Sequence, residues 1–503
     1  MSATVLVYDD AVGVPRDIAS LTGIARFGVL LYKRKRLWEH ASAAARAAGF
    51  QQRIHLQEHA DRLALADELA DAPAGQRYVY LSADVVSAEP ELFARFLAKL
   101  SWSDDDVVSR PGGARPGSAI ACFGAARLRQ LMLASRSDAQ REAWWSDRRD
   151  QLAVVPAETP FACLSDADMF VRFLSGSFYT RAFNAIEQSG RSIVKRSADR
   201  DKMKREHDYW YLLPPSLQRF VVQPYGYVDD GAEASYRMER LNMPDMAVLW
   251  VHGPAAVSTE ALGALLDVVF DWFAARPTRS DPAAARAAAE ALYVTKLDQR
   301  MAALLQLEAG QRLDRLVREG TPWDGLQALV DRYRALLDAE WARSAPEQVA
   351  VMHGDLCFSN ILFDKRSRLV RFIDPRGANS EPELWGDAYY DIAKLSHSVL
   401  GGYDYVNNGL FDVHVGDALR FELHVARGAA GAREALFVER AKAAGFDPVR
   451  MRLYEASLFL SMLPLHAEDP RKLLGFVLTA GGILDEVERA RSVPRTLLQR
   501  VLG

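Results

Sequence analysis

The run VMHGDLCFSNILFD, residues 351–364, places polar side chains between two apolar stretches. It contains His353 and Asp355, and Asn360 follows Asp355 by five positions. This spacing does not fit one face of a strand, while the flanking residues are of the β type. The run therefore predicts a loop that carries a carboxylate and an amide between two buried strands.

A second carboxylate follows this loop. Asp374 stands fourteen positions after Asn360, at the end of the apolar run 369–373, and the polar residues 364–367 predict a hairpin turn between them. Pairing the two strands would return Asp374 to Asn360 at the mouth of the hairpin. Two carboxylates and an amide oxygen around one point suit Mg²⁺, which takes its remaining ligands from water and phosphate.

Phosphoryl transfer uses such an arrangement: Asp355 would orient and deprotonate an attacking hydroxyl, while Asn360 and Asp374 would hold Mg²⁺ against nucleotide phosphates. Protein kinases write the pattern as H-R-D-x-x-x-x-N followed by D-F-G. Here Gly354 replaces the arginine, and Pro375 follows the second aspartate. In these two respects the sequence resembles the aminoglycoside phosphotransferase and choline-kinase-like family, which has the protein-kinase-like fold.

The resemblance extends over about residues 170–480 and implies an upstream nucleotide site. That site would comprise a small-residue phosphate loop, a lysine that a glutamate positions, and a hinge that binds adenine. The matching residues are Ser175, Gly176 and Ser177 for the loop, Lys195 and Glu206 for the pair, and Met238, Glu239 and Leu241 for the hinge.

Downstream, the stretch GDAYYDIAKL, residues 386–395, resembles the family's "GDPxYDLAK" helix opening, with Ala388 in place of a common proline. Asp387 is expected to cap this helix at its N-terminus. Asp391, four residues later, is expected to brace the catalytic loop rather than to bind metal.

The order of apolar runs predicts an α/β domain over residues 1–165. Strand-like and helix-like segments alternate there, which favours a parallel sheet with helices on its faces. The strand-like runs are 5–8, 53–56 and 78–81, and the helix-like runs are 37–48 and about 60–71.

The remainder predicts an α+β protein-kinase-like bilobal domain. Residues 166–250 would form its N-lobe, with strand-like runs that include 220–223. Residues 251–503 would form a largely helical C-lobe, in which the Ala/Leu/Arg-rich stretch 257–343 is inserted as part of the acceptor pocket.

The N-terminal third has a faint resemblance to sugar nucleotidyltransferases, carried by LLYKRKRLWEHASAAARAAGF (30–50) and YVYLSADVV (78–86). That resemblance makes Asp84 a candidate metal ligand. The Gly-rich nucleotide loop of those enzymes is absent after the first strand. A degenerate domain of that fold, used for docking or substrate presentation, is therefore the hypothesis.

The composition of the chain narrows the classes of partner that it is expected to bind. The net charge is -4 and charged residues make up 25% of the chain, so there is no basic excess of the kind that nucleic-acid binding uses. No apolar stretch reaches the length of a transmembrane helix. The three cysteines are scattered, and the N-terminus lacks the features of a signal peptide. These features predict a soluble cytoplasmic protein and leave its oligomeric state open.

Together these observations predict an ATP- and Mg²⁺-dependent kinase for a hydroxyl of a sugar, amino sugar or amino-alcohol. The N-terminal resemblance associates it with surface-polysaccharide or nucleotide-sugar metabolism. Aromatic and acidic residues of the C-lobe are candidates for the acceptor pocket: Trp341, Trp385, Asp387, Tyr403, Asp404 and Tyr405.

Two alternatives remain. A protein kinase would need an Ala-Pro-Glu segment after Asp374 and an arginine in the catalytic loop, and the sequence has neither. A catalytically silent scaffold would have no chemical need for Lys195, Asp355, Asn360 and Asp374 together.

Overall fold

The computed structural model of the chain describes residues 4–110, 115, 117–148, 151–156, 161–175, 185–189, 192–241, 243–427 and 431–492. Of Ser175 and of strand Ala185–Ser189 it describes the backbone. The chain forms two compact units, Met1–Tyr179 and Thr180–Gly503. The finer division into domains at residues 165 and 250 stays a prediction.

The N-terminal unit contains a six-stranded sheet with the strand order β4-β1-β5-β8-β7-β9. Its strands are β1 Val5–Asp9, β4 Gln52–Leu56, β5 Arg77–Ser82, β7 Val107–Ser109, β8 Ile120–Gly124 and β9 Ala153–Val154. Two further two-stranded sheets pair β2 Leu31–Tyr32 with β3 Lys35–Arg36 and β6 Val85–Ser87 with β10 Phe161–Cys163. The helices are α1 Arg16–Thr22, α2 Leu37–Ala47, α3 His59–Glu68, α4 Pro90–Ser101, α5 Ala125–Ala134, α6 Asp138–Asp147 and α7 Ala167–Ser175.

This architecture confirms the predicted α/β class and corrects the strand directions. The three strands read from the sequence, β1, β4 and β5, are parallel, and every residue of β1 is buried as expected for a central strand. Strand β8 is antiparallel to both β5 and β7, so the sheet is mixed. The sequence around β7 and β8 lacks the alternation with helices that marks parallel strands.

The C-terminal unit begins with an antiparallel sheet of order β11-β12-β14-β13. These strands are β11 Ala185–Ser189, β12 Ser192–Ser197, β13 Pro224–Asp229 and β14 Ala234–Glu239. Helix α8, Arg200–Leu212, lies against the sheet and buries Met203 beside Tyr236 and Met238. Its N-terminus is fixed by Asp199, which accepts the N–H of Lys202 at 3.0 Å.

The remainder of this unit is largely helical, as the sequence predicts. The helices are α9 Pro215–Gln218, α10 Met246–Val251, α11 Thr259–Ala275, α12 Pro282–Glu290, α13 Lys296–Leu305, α14 Glu308–Gly320, α15 Gly325–Arg343, α16 Tyr390–Val399, α17 Tyr403–Asn407, α18 Gly431–Ala443, α19 Pro448–Ser461 and α20 Pro470–Ser492. The strands are β15 Thr278–Ser280, β16 Gln348–Val351, β17 Ile361–Asp364, β18 Leu369–Phe372, β19 Trp385–Asp387, β20 Phe411–Val415 and β21 Phe421–Val425. A continuous apolar core joins helices α13, α15, α19 and α20.

The structure differs from the sequence prediction in two elements. Residues 220–223 form no strand of the N-lobe sheet. Instead Val222 donates its N–H to Phe372 at 3.0 Å, and Phe372 donates to Phe220 at 2.7 Å, so the run pairs briefly with β18. The helical C-terminal region also contains the hairpin β20–β21. The alternation of apolar and polar residues in both of its strands is a period-two signal that the prediction missed.

Within the described residues, no helix combines the length and the apolar character that crossing a membrane requires.

Candidate active site

The loop between β16 and β17 is held by helix α16. Asp391 accepts the backbone N–H of His353 with one carboxylate oxygen and that of Gly354 with the other, both at 2.8 Å. Asp391 is fully buried, and Arg276 lies 3.7 Å from it. His353 is buried as well, which lowers its pKa, and its Nδ1 lies 3.3 Å from the backbone N–H of Asp355. These contacts agree with the bracing expected for Asp391.

Gly354 has a backbone requirement of its own. Its φ is +82°, a region that side chains other than glycine rarely adopt. A Cβ at this position would lie 2.5 Å from the Cβ of Arg376. Arg376 in turn donates its N–H to the carbonyl of His353 at 2.9 Å. The glycine that distinguishes this loop from that of protein kinases therefore permits the segment after Asp374 to pack directly on the loop.

Asp355 lies between an amide and a lysine. Asn360 donates from Nδ2 to the side chain of Asp355 at 3.1 Å and to its backbone carbonyl at 2.8 Å. Lys394 Nζ, from helix α16, lies 2.9 Å from Asp355 Oδ1. Burial alone would lower the pKa of Lys394, but Asp355 raises it above its ordinary value. The Asp355 side chain is 43% exposed, so a solvent-side molecule has access to it.

Asp374 lies at the mouth of the hairpin, as the sequence predicts. Ile361 pairs with Phe372, and Ile373 donates its N–H to the carbonyl of Asn360 at 3.0 Å. The next residue, Asp374, has a φ of +53° and a side chain that is 39% exposed. The structure thus brings Asp355, Asn360 and Asp374 to one side of this hairpin.

Lys195, on strand β12, connects this hairpin to helix α8. Its Nζ lies 2.6 Å from Glu206 Oε2 and 3.0 Å from Asp374 Oδ1. Burial acts to lower the pKa of Lys195, but Asp374 and Glu206 raise it overall, so the ammonium stays charged. Tyr236 donates its hydroxyl to the same Glu206 oxygen at 2.8 Å. The lysine–glutamate pair read from the sequence is therefore formed.

Helix α8 is also fixed to the segment that follows Asp374. Gly377, with a φ of +82°, lies so close to α8 that a Cβ there would be 2.6 Å from the backbone carbon of Arg205. Ala378 donates its N–H to the Arg205 carbonyl at 3.0 Å, and the Tyr209 hydroxyl donates to the Met352 carbonyl at 3.0 Å. These contacts of Arg205 and Tyr209, which stand before and after Glu206 on α8, help to fix the position of Glu206.

The predicted hinge residues lie at the end of β14. Met238 is buried and pairs with Ile193 of β12, while Glu239 is the exposed last residue of the strand. Leu241 is half-buried in the connection that follows. The connection then reaches Pro244, whose carbonyl accepts the N–H of Phe363 at 3.0 Å.

Of the predicted phosphate loop, Gly176 and Ser177 lie outside the described residues, and Ser175 ends helix α7. Its side chain is not among those described.

The aromatic and acidic residues expected in the acceptor pocket lie mostly in the core. Trp341, Tyr403, Asp404, Tyr405 and Asp387 are all buried. Asp387 accepts the Tyr293 hydroxyl at 2.7 Å and the N–H of Tyr389 at 3.0 Å, and burial raises its pKa to about 6. Asp387 precedes the N-terminus of α16 without being its capping residue. The polar and aromatic character of these residues suggested a pocket, but the buried ones are packed in the core of the C-lobe.

Two residues of the site were not identified from the sequence. Lys394 belongs to the GDAYYDIAKL stretch but received no role, although it stands four residues after Tyr390, a spacing that places both on one helix face. Lys296 begins helix α13, and its Nζ lies 3.2 Å from the Tyr390 hydroxyl. No pattern in the sequence of α13 marks Lys296, which is one of the two cations of that helix.

In the N-terminal unit the candidate Asp84 is almost fully buried and surrounded by hydroxyl donors. It accepts the hydroxyls of Ser82 at 2.5 Å, of Ser165 at 2.6 Å and of Ser118. These bonds join strand β5 to the residues that flank β8 and β10. The same unit buries Asp9 in an ion pair with Arg62. This setting supports a structural role for Asp84, and its role as a metal ligand stays a prediction.

The lobes, the lysine–glutamate pair and the aspartates of the hairpin define a phosphotransferase with a protein-kinase-like fold. In agreement with this, the phosphotransferase enzyme family (APH) matches residues 171–422, half of the chain. The chain belongs to this family, which confirms the predicted family, fold class and enzyme class. Most of the N-terminal unit lies outside the matched residues, so its nucleotidyltransferase-like character stays a prediction.

Solved structures similar to this one include aminoglycoside phosphotransferase APH(4)-Ia, with 16% identity over 63% of this chain and 93% of the other and a TM-score of 0.38. A thermostable mutant of that enzyme in a ternary complex with ADP and hygromycin B has 15% identity over 64% and 99% of the two chains, with a TM-score of 0.36. A protein described as a fructosamine-3-kinase from Haemophilus somnus 129PT has 12% identity over 64% and 96%, with a TM-score of 0.34. Among curated proteins no match was found.

Proposed function

We propose that this phosphotransferase is an ATP- and Mg²⁺-dependent small-molecule kinase that phosphorylates a hydroxyl of a sugar, amino sugar or amino-alcohol. The observation that carries the proposal is the contact of Lys195 Nζ with Asp374 Oδ1 at 3.0 Å, on the hairpin where Asn360 bonds to Asp355 at 3.1 Å. A cation for phosphates, two metal-binding side chains and a base are what phosphoryl transfer to a hydroxyl requires.

The residues fit Mg²⁺ and a nucleotide. Asn360 uses its Nδ2 for Asp355, which leaves its amide oxygen for a metal, and Asp374 presents a partly exposed carboxylate. Mg²⁺ prefers oxygen ligands and takes the others from phosphate and water. When bound, the ion would neutralise charge on the transferred phosphoryl group. Lys195, positioned by Glu206, would neutralise charge on the nucleotide phosphates.

Asp355 is proposed as the base. Its carboxylate would accept a hydrogen bond from the attacking hydroxyl and take the proton as the phosphoryl group is transferred. The contacts of its loop with Asp391 fix its position before the acceptor arrives. Such positioning lowers the entropy that the reaction must otherwise lose.

The other nucleotide contacts are proposals of the same kind. Met238, Glu239 and Leu241 would line the adenine site, where β14 leads to the connection between the lobes. Ser175, Gly176 and Ser177 would contact phosphate. An association of the enzyme with surface-polysaccharide or nucleotide-sugar metabolism, and a cytoplasmic location, remain predictions of the sequence.

The proposal is tested by the melting temperature of the whole chain with ATP, with Mg²⁺ and with both. We expect the nucleotide to stabilise the wild type in a Mg²⁺-dependent manner and to lose this effect in Asp374→Ala. Asp355→Ala should keep the stabilisation and lose phosphorylation in a panel of sugars, amino sugars and amino-alcohols. A wild type without Mg²⁺-dependent stabilisation would overturn the proposal, and turnover by Asp355→Ala would overturn the role of the base.

A further inference from the structure

A row of charged and polar side chains leads from Asp355 into the C-lobe. Lys394 Nζ lies 2.9 Å from Asp355 Oδ1. One turn earlier on helix α16 stands Tyr390, whose hydroxyl is 3.2 Å from Lys296 Nζ of helix α13. The row Asp355, Lys394, Tyr390 and Lys296 is hereafter the cationic row. Helix α16 supplies Lys394 and Tyr390 of this row, and helix α13 supplies Lys296.

The charges of the cationic row do not balance. Asp355 neutralises Lys394, but the hydrogen-bond partner of Lys296 is the neutral hydroxyl of Tyr390. Within the part of the chain that the structure describes, no carboxylate is within ion-pair distance of Lys296 Nζ. Lys394 and Arg300 are its charged neighbours, and both are positive. Burial lowers the pKa of Lys296, and Lys394 and Arg300 act in the same direction while Tyr390 opposes them.

Carboxylates on helices α13, α16 and α19 are engaged with other partners. Asp391 accepts two loop amides, Asp298 pairs with Arg334, and Glu455 lies 2.6 Å from Arg452. Burial would raise the pKa of Tyr390, but Lys394 and Lys296 outweigh it and lower that pKa. The positive potential of the cationic row therefore extends to Tyr390.

The position of Lys296 is fixed by a local irregularity. Residues Ala291–Thr295 form a π turn immediately before Lys296. Within this turn Tyr293 donates its hydroxyl to Asp387 at 2.7 Å and stacks on Tyr454 at 3.9 Å between ring centroids. A single π turn has hydrogen bonds between residues five apart in place of the regular bonds of the α-helix, and such turns occur often at functional sites. Helix α13 begins with Lys296 directly after this turn.

We propose that the hydroxyl acceptor carries an anionic group, a phosphate or a carboxylate, which Lys296 binds with the support of Lys394. This inference rests on the proposed kinase function and narrows its acceptors to anionic ones such as sugar phosphates or sugar acids. An anion would supply the missing charge and form charge-assisted hydrogen bonds with Lys296. A cationic amino sugar would add a third positive charge beside two lysines, which is unfavourable in a partly buried site.

The test measures the binding of inorganic phosphate, and separately of acetate, to the whole chain saturated with AMP-PNP and Mg²⁺. Saturation excludes phosphate from the nucleotide site, and titration calorimetry gives the dissociation constants. We expect saturable binding of at least one of the two anions, weakened at least tenfold in Lys296→Gln and less than threefold in Lys296→Arg. The matched control is Lys365→Gln, which changes another half-buried lysine, bonded to the Ala256 carbonyl at the turn of the β17–β18 hairpin. The control should bind as the wild type does.

Acceptor selectivity gives the second measurement. Phosphorylation of a neutral sugar is compared with that of its phosphate monoester, its uronic acid and its amino sugar, and the two anionic forms separate phosphate from carboxylate recognition. If Lys296→Gln does not fold, labelling of wild-type amines with an acylating reagent replaces it. Phosphate or acetate should then protect Lys296 and leave Lys365 unprotected.

The inference is overturned if neither anion binds saturably, if Lys296→Gln binds both as the wild type does, or if neither anion protects Lys296. It is also overturned if the amino sugar is the best acceptor. Binding of AMP-PNP is measured first, so its absence identifies a failure of the proposed kinase function. Nucleotide binding without an anion site identifies a failure of this inference alone.

Discussion

Asp391 accepts the backbone N–H of Gly354 at 2.8 Å, so a carboxylate of helix α16 fixes the residue that precedes Asp355. The other carboxylate oxygen accepts the N–H of His353 at the same distance. Both bonds are charge-assisted and buried, which makes them stronger than neutral hydrogen bonds. The geometry of the loop that carries Asp355 thus depends on a residue that we expect to contact neither nucleotide nor acceptor.

The first prediction concerns Asp391→Asn. An asparagine offers one acceptor oxygen, so its NH₂ group would face a backbone N–H that loses its partner. We expect a loss of about 1–3 kcal/mol of stability and faster amide hydrogen exchange in residues 351–357. Activity should fall more than nucleotide affinity, because the loop positions the base.

The matched control for Asp391→Asn is Asp485→Asn, which removes an exposed carboxylate paired with Arg332. Exposed pairs contribute about 0–1 kcal/mol, so this variant should exchange as the wild type does. Unchanged exchange of residues 351–357 in Asp391→Asn would contradict the bracing role.

The second prediction concerns Gly354→Ala. The variant has both an unfavourable φ of +82° and a Cβ 2.5 Å from that of Arg376. The backbone term alone is about 1–2 kcal/mol, and the contact with Arg376 adds to it and displaces the loop. We expect a loss of stability beyond the backbone term together with loss of phosphorylation, measured by denaturant unfolding and by ATP consumption.

Gly445→Ala separates the two effects of Gly354→Ala. Gly445 has a φ of +86°, but a Cβ there would meet nothing within 4 Å. This control should lose stability by the backbone term alone and keep its activity. Equal losses of stability in the two variants would show that the approach of Arg376 contributes nothing.

Much of the site could be read from the sequence because the spacing of a hairpin is local. Asp374 returns to Asn360 through the two paired strands, and Lys195 meets Glu206 because strand β12 runs directly into helix α8. The burial of Asp404 and Tyr405 could not be read, since the side of a helix that faces the core is decided by helices distant in sequence.

The same limit explains the residues that the sequence did not reveal. Lys296 and Tyr390 are 94 residues apart and meet only through the packing of helices α13 and α16. In the N-terminal unit the order of β7, β8 and β9 depends on crossovers that leave no periodic signal. Chemistry carried by a contiguous motif is therefore predictable from one sequence, while pockets assembled from several helices require the structure.

The third prediction concerns Lys195→Met. The variant removes the cation that contacts both Glu206 and Asp374 and that we propose for the nucleotide phosphates. A hydrogen bond to a charged group contributes about 1.5–3 kcal/mol, which corresponds to a loss of affinity of about ten- to hundredfold. Titration with AMP-PNP and Mg²⁺ measures this loss.

Lys204→Met is the control for Lys195→Met, because Lys204 is an exposed lysine on the same α8 helix and pairs with Asp208. It should bind the nucleotide as the wild type does. Wild-type affinity in Lys195→Met would exclude the proposed phosphate contact.

The fourth prediction concerns the dependence of stability on pH through Asp404. This carboxyl is buried, its Oδ2 has no hydrogen-bond partner among the described residues, and burial raises its pKa to about 7. In the unfolded chain the pKa is about 3.9. Between these two values the folded state keeps a proton that the unfolded state releases, so the wild type loses stability as the pH rises toward 7.

Asp404→Asn cannot ionise and avoids this loss. We expect the stability of the variant relative to the wild type to rise by up to about 4 kcal/mol from pH 4 to pH 7 and to level off above pH 7. Asp245, whose pKa is also raised to about 7, chiefly by burial and in part by Asp404, loses the effect of the Asp404 charge in the variant, which adds to the same rise. Denaturant unfolding at several pH values measures this difference in stability.

Asp412→Asn is the control, because it changes an exposed carboxylate paired with Arg471. This variant should show little pH dependence of its stability relative to the wild type. A flat difference for Asp404→Asn would contradict the raised pKa of Asp404 in the folded chain.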